Sequence, residues 1–258
     1  MQQEKIIWTD ASIRWFVESA RHTKYYEEIV KQCSFLFRPS MQVLDLGCGA
    51  GILSQAIAPH VGFVQAVDSC PKAVQSLFER MMQEKITNIS CALVDWKTWR
   101  PTRQADVVIV RQPDLLNQLD RLKNATKQYI VAIFPDPKKE NRFFLGNISL
   151  PAINHWHPGT LQKTTQQLKE RNIPYHLIRI SSEYGQYFKQ LSDFEEFLEF
   201  YYQIPIGSVS PEIQKTLLLK KEEGYYLPEK RQSGIIIIKK EDITAYPPRQ
   251  KSNIKISL

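Results

Sequence analysis

The stretch VLDLGCGAG, Val43 to Gly51, sets an apolar run against an acid and then three glycines within five residues. The pattern is that of a buried strand ending in a glycine-rich turn before a helix. Such a turn aims backbone N–H groups and a positive helix end at a ligand, and the missing Cβ atoms let that ligand come close. The dinucleotide fingerprint spaces its glycines as G-x-G-x-x-G. Here Gly47, Gly49 and Gly51 form G-x-G-x-G, and Asp45 stands two residues ahead of the first glycine. A carboxylate at that place repels a pyrophosphate and suits a ligand that carries a cationic amine.

Outward from this turn, short β-rich runs alternate with helical segments. The predicted strands are Gln42–Leu46, Phe63–Val67, Ile89–Val94, Ala105–Val110 and Gln128–Phe134. Between them Ile52–Pro59, Pro71–Lys85 and Leu115–Thr126 read as helices, the second opened by Ser69 ahead of Pro71. Strands so uniformly apolar are buried on both faces, and parallel neighbours need long right-handed crossovers. The expected fold class is therefore α/β, a doubly wound and mostly parallel sheet. Residues 8–37 read as a helical prefix, capped by Thr9 or Asp10, with Ile13, Phe16 and Val17 and then Tyr25, Tyr26, Ile29 and Val30 on its apolar faces. Residues 135–158 read as irregular, followed by a polar helix at Leu161–Arg171 and a strand at Tyr175–Ile180. Helices are expected over Phe194–Tyr202, opened by a capping box at Ser192 to Glu195, and over Glu212–Glu222, opened by Ser210-Pro211. Gly234–Lys239 is the last core strand.

The chain of 258 residues is long enough to bury a full core without disulfides. Its four cysteines, Cys33, Cys48, Cys70 and Cys91, include no C-x-x-C pair, so reduced thiols in a cytoplasmic protein are expected and no metal is. The N-terminal MQQEKIIWTD lacks the apolar core of a signal peptide, and the most apolar run is the four isoleucines 235–238, so no membrane segment is expected. The net charge is +7, and residues 228–258 contribute seven Lys/Arg against three Asp/Glu. The excess therefore belongs largely to the last strand and a basic tail, which reads as a solvated tail or as an RNA contact.

VLDLGCGAG resembles motif I of the class I S-adenosylmethionine-dependent methyltransferases, in which the glycine turn packs against the methionine part of the cofactor. Asp68 follows Gly51 by 17 residues at the end of the second strand, where the resemblance implies an acid that accepts hydrogen bonds from both ribose hydroxyls. Asp95-Trp96, at the end of the third, resembles the adenine-contact position, an acid for the exocyclic amine and an aromatic for stacking. Alone, Asp45 reads equally as a loop-stabilising acid and Asp68 as a helix cap. Together the three strand ends imply S-adenosyl-L-methionine as cofactor, held by Asp45, Gly47, Cys48, Gly49, Gly51, Asp68, Ser69, Asp95, Trp96, Arg111 and Tyr25. The resemblance also implies a seven-stranded Rossmann-like sheet whose last strand is antiparallel and lies beside the sixth, here Gly234–Lys239 beside Tyr175–Ile180. The implied organisation is a prefix or lid over residues 1–40, a methyltransferase domain over 41–240 with a helical insertion at 190–227, and a basic tail over 241–258. Trp8, Asp106–Arg111 and Phe194–Tyr202 are similar to the matching segments of a group of uncharacterised bacterial and archaeal methyltransferases.

On the acceptor side, Arg111, Gln112, Pro113 and Asp114 follow the fourth strand, where ligands sit in open α/β sheets. They do not form the (D/N)PP(Y/F) motif of enzymes that methylate adenine or glutamine nitrogen. Phe134-Pro-Asp-Pro-Lys-Lys139 is similar to the FPDPWPK motif of tRNA guanine-N7 methyltransferases, yet it follows the fifth strand and lacks the Trp. His155 and His157, flanking Trp156, read as candidate bases, as two metal ligands without a carboxylate or cysteine at metal-site spacing nearby, or as a plain loop, which is the commoner case. Tyr25 and Tyr26 either cover the cofactor or simply pack, and the 194–222 helices either close as a lid or shield the sheet edge. The expected function is methyl transfer to a small molecule by in-line displacement. RNA methylation and non-catalytic cofactor binding are the alternatives.

Overall fold

In the computed structural model of this chain, which describes residues 8–111, 115–136, 142–145, 148–151 and 160–243, the run VLDL forms the third strand of a seven-stranded sheet. Strand β1 (Gln42–Leu46) leads through helix α3 (Ile52–Ile57) to β2 (Phe63–Asp68), and α4 (Pro71–Gln83) leads to β3 (Ile89–Leu93). On the other side β4 (Ala105–Val110), α5 (Leu119–Ala125) and β5 (Thr126–Pro135) follow, then α6 (Thr160–Glu170), β8 (His176–Glu183) and finally β12 (Lys230–Lys239). The order is β3-β2-β1-β4-β5-β12-β8, with β12 antiparallel to both its neighbours and the first five strands mutually parallel. This is the predicted arrangement, last strand inserted beside the sixth.

The isoleucine run of β12 shows why no polar alternation marks these strands. Ile235 and Ile237 face one core with Val43, Ile109 and Val131, while Ile236 and Ile238 face the other with Leu44, Val108 and Ile130. All four are 5% exposed or less, so both faces of the sheet are covered.

The prefix is two helices, α1 (Asp10–Thr23) and α2 (Tyr25–Gln32), separated by Lys24 in a left-handed conformation with φ 51°. Thr9 is the cap of α1, in a reciprocal box with Ser12 at 3.0 and 2.8 Å. Both helices lie on the face that carries Ile235 and Ile237.

Three expectations are corrected. The stretch read as irregular contains the antiparallel pair β6 (Arg142–Leu145) and β7 (Ile148–Pro151). The helix expected over Glu212–Glu222 stops early: α8 spans Pro211–Leu217, and β10 (Leu219–Lys221) and β11 (Gly224–Leu227) form a hairpin that joins β9 (Gln186–Phe188). Its reason is Gly224, at φ 149°, where a Cβ would stand 2.2 Å from the Phe188 carbonyl oxygen. The chain can therefore press Tyr225 and Tyr226 into pairing with β9. The capping box at Ser192 is absent, because α7 (Leu191–Tyr202) begins after Gln190. Asp193 instead accepts from Trp15 Nε1 at 2.9 Å and from Arg14 at 2.5 Å, tying the insertion to the prefix. Trp15, Phe188, Phe194, Phe197 and Leu198 form a third core between them. No described helix is long and apolar enough to cross a membrane.

Candidate functional site

Gly47, Gly49 and Gly51 all lie at positive φ, 73°, 56° and 72°, where a side chain is strained. Four of the five N–H groups from Gly47 to Gly51 are already paired. Gly47 and Cys48 both donate to the Val67 carbonyl at 2.9 and 3.0 Å, Gly49 donates to Asp68 Oδ2 at 2.8 Å, and Gly51 donates to the Cys48 carbonyl at 3.0 Å. Donors committed in this way make no phosphate cradle, a stronger reason than the charge argument from sequence.

Asp45 lies beneath the turn and is fully buried. Its Oδ2 accepts from Ser54 Oγ of α3 at 2.6 Å, and its Oδ1 has no hydrogen-bond partner. Burial lifts its pKa to about 6, against the pull of Ser54 and Arg111 and with a small push from Asp68. A buried carboxylate oxygen without a partner is the chemistry that a cationic amine satisfies.

Asp68, at the end of β2, is half-buried. Its Oδ1 accepts from Cys70 N at 2.8 Å at the start of α4, so it ties the glycine turn to that helix. Each oxygen keeps a lone pair for a ligand. Cys70, not Ser69, is the cap of α4, and Ser69 is exposed beside Asp68. Cys48 is buried, and burial together with the two carboxylates pushes its thiol up, so its side chain is packing rather than a nucleophile.

Two residues of this region were not read from the sequence as part of the site. Arg80 of α4 is buried and reaches under the turn, donating to the Ala50 carbonyl, to Gln55 Oε1 at 3.1 Å and to Ser76 Oγ at 2.6 Å. The available signal was its place in the apolar stripe Ala73, Leu77, Arg80 and Met81. Arg80→Met keeps the stem and leaves the Ala50 carbonyl unpaired, so unfolding in urea should show a loss of about 2–4 kcal/mol. An unchanged midpoint would mean that the turn is held without it. Trp8 is the second: a Cβ on Gly49 would stand 2.9 Å from Trp8 Cζ2, so the indole roofs the turn and requires glycine there.

From Trp8 an aromatic chain runs across the C-terminal edge of the sheet. Trp8 meets Phe16 at 5.3 Å, Phe16 meets Tyr26 at 5.9 Å, Tyr26 meets Tyr25 at 5.1 Å, and Tyr25 meets Tyr184 at 4.9 Å between ring centroids. The Arg111 guanidinium, just past β4, lies 5.2 Å from the Tyr26 ring centre, and Arg231 of β12 lies 3.5 Å from that of Tyr184 and 5.6 Å from that of Tyr25. Tyr25 shares a hydrogen bond of 2.5 Å with Ser233 Oγ. The hydroxyls of Tyr26 and Tyr184 have no partner, and burial pushes the Tyr184 phenol up. Each such orphan costs about 1–3 kcal/mol.

The predicted site residues therefore fall into groups. Asp45, Gly47, Cys48, Gly49, Gly51 and Asp68 are brought together at the turn, with Arg111 on the far side of Asp45. Tyr25 is placed against Ser233, Tyr184 and Arg231 instead. Asp95 is exposed past β3 and accepts from Lys97 N at 3.0 Å, while Trp96 is only 4% exposed within the core behind it. Asp136 pairs with Arg179 at 2.9 Å. Gln112, Pro113, Asp114, Pro137, Lys138, Lys139, His155, Trp156, His157 and most of the basic tail lie outside the described residues.

A family model described as a methyltransferase domain matches residues 37–218. No curated protein matches the sequence. Among solved structures, the chain is similar to the YcgJ protein of Bacillus subtilis, at 14% identity over 84% of this chain and 98% of that one, with a TM-score of 0.53. It is similar also to precorrin 8w decarboxylase of Methanobacterium thermoautotrophicum, at 13% identity over 83% and 89% with a TM-score of 0.49. At 14% identity the likeness to YcgJ is one of fold.

Proposed function

Because this chain belongs to the methyltransferase-domain family, the S-adenosylmethionine-dependent class, we propose that it methylates a small molecule enclosed between its prefix helices and the C-terminal edge of the sheet. The carrying observation is the partnerless Oδ1 of Asp45 beside a turn in which Gly47, Cys48, Gly49 and Gly51 commit their N–H groups within the protein. That arrangement fits an amino-acid ammonium and not a phosphate. Asp45 would take that ammonium, Asp68 the ribose hydroxyls and Asp95 the adenine amine, with Gly47, Gly49 and Gly51 allowing close approach and Ser69 at the rim. Arg111, next to Asp45, would take the cofactor carboxylate. S-adenosylmethionine supplies an electrophilic sulfonium methyl with a neutral thioether as leaving group.

What the chain must add is alignment and exclusion of water. Tyr25, Tyr26 and Tyr184 lie past β4 and against the start of β12, and Trp8 roofs the turn, so the prefix acts as the cover. Support for a small acceptor comes from this enclosure. The lysines that line a surface pocket, Lys123, Lys127, Lys239 and Lys240, lie at the opposite edge of the sheet, and each is engaged with a carbonyl or carboxylate of the chain. Free thiols at Cys33, Cys48, Cys70 and Cys91 suit a reducing compartment such as the cytoplasm.

Calorimetric titration with S-adenosylmethionine and S-adenosylhomocysteine tests the reading, with saturable binding of both expected. Absence of binding by protein with a cooperative melt would overturn it. RNA retention with steep salt dependence would replace the small acceptor by RNA.

A further inference from the structure

The Arg231 guanidinium lies against aromatic rings at the start of β12, and the acid that acts on it among the described residues is Glu229. Arg111 shares its surroundings with Asp45, whose carboxylate interacts with it. Among the described residues Arg231 makes no hydrogen bond and no ion pair, and its contacts are the faces of Tyr184 and Tyr25. Glu229, two residues before it, acts on it electrostatically without reaching ion-pair distance, as Asp45 acts on Arg111. Stacking on a ring satisfies the face of a guanidinium and leaves its five N–H donors pointing outward in a plane. A fork of that kind, partly buried and unpaired, matches a carboxylate or a phosphate in the bidentate manner.

The neighbours point the same way. Ser233 lies two residues along β12 on the same face of the sheet as Arg231, and its hydroxyl, bonded to Tyr25, is a second polar group at that spot. Tyr184, 7% exposed, and Tyr26, 1% exposed, keep hydroxyls without partners. Aromatic rings and two arginines, Arg111 and Arg231, around unpaired hydroxyls suit a flat anionic molecule. A neutral or cationic acceptor would leave Arg231 without an ion-pair partner inside the protein.

Resting on the methyltransferase reading above, we propose that the acceptor carries an oxyanion, and that Arg231 binds it while Tyr25 and Tyr184, in edge-to-face contact with each other, form one wall beside it. Arg111 serves the cofactor and Arg231 the acceptor, so the two arginines divide the space between them. On this assignment Arg231 is a substrate-binding residue that sets specificity, and the reacting atom is a separate group of the same molecule.

The test uses the full chain saturated with S-adenosylhomocysteine, and titrates it by calorimetry with benzoate, phenyl phosphate and neutral benzamide. Benzoate or phenyl phosphate should bind at least about tenfold more tightly than benzamide, the better of the two naming the oxyanion. Arg231→Gln should abolish that preference, and Arg231→Lys should restore part of it. S-adenosylhomocysteine affinity should stay unchanged in both variants, which also shows that they fold. Equal binding of the three probes, or none by any of them, with S-adenosylhomocysteine still bound, overturns the proposal and leaves the methyltransferase reading standing. Failure to bind S-adenosylhomocysteine overturns that reading first.

Discussion

Asp68→Ala should weaken S-adenosylmethionine and S-adenosylhomocysteine binding by about 100-fold or more. The side chain does two things at once. Its Oδ2 accepts from Gly49 N and its Oδ1 from Cys70 N, both at 2.8 Å, so the carboxylate fastens the middle of the glycine turn to the first turn of α4. On the proposed reading its remaining lone pairs accept from the ribose hydroxyls. Hydrogen bonds to a charged group contribute about 1.5–3 kcal/mol each, and roughly 1.4 kcal/mol is a factor of ten in affinity. Loss of the ligand bonds alone gives the stated factor. Loss of the backbone bonds adds to it, because Gly49 at φ 56° has little else to hold it there. Asp68→Asn retains one acceptor oxygen and should fall between wild type and alanine. Isothermal titration measures all three proteins, and an alanine variant within about threefold of wild type would show that Asp68 is a structural cap only.

How much of this was legible before the structure depends on the range over which each feature is encoded. Asp45 and Asp68 end adjacent parallel strands, so an apolar run, an acid and a turn specify their places locally. The register that pairs Asp45 with Ala66 then brings the two acids to the same edge. The aromatic and arginine enclosure is the opposite case. Tyr25 and Ser233 are 208 residues apart and meet only because β12 is inserted antiparallel between β5 and β8. Even so, a faint signal was present, since Arg231, Ser233 and Ile235 alternate onto one face of the strand. The end of α8 was misread because Leu217 to Glu222 continues a helical composition, while the deciding constraint is a tertiary contact at Gly224. Asp95-Trp96 shows a third limit. Motif position places both residues correctly at the end of β3, yet which of them faces outward is settled by the core, where Trp96 packs with Leu46, Val67 and Val110.

Asp45→Asn should stabilise the ligand-free protein at neutral pH and impair cofactor binding, the two effects arising from one atom. Burial raises the Asp45 pKa from 3.8 to about 6, so the folded state holds the proton more firmly than the unfolded chain does. Stability from this group is therefore complete below about pH 3.8 and is lost as pH rises to about 6, beyond which the loss is constant. The difference is worth roughly 3 kcal/mol. Asparagine does not titrate in this range and its amide oxygen can still accept from Ser54. The difference in unfolding free energy between variant and wild type should thus grow in favour of the variant between pH 4 and 6 and then level off, with other carboxylates cancelling in the comparison. Urea unfolding across that range reads it directly. With S-adenosylhomocysteine present the order should reverse, because the ligand ammonium compensates the carboxylate in wild type and meets a neutral amide in the variant. Binding to wild type near pH 5 should accordingly release a proton, seen as a dependence of calorimetric enthalpy on buffer ionisation, and this dependence should vanish in Asp45→Asn. Parallel stability curves for the two proteins would place the ammonium elsewhere. A raised stability without any change in affinity would reduce Asp45 to a support for α3 through Ser54.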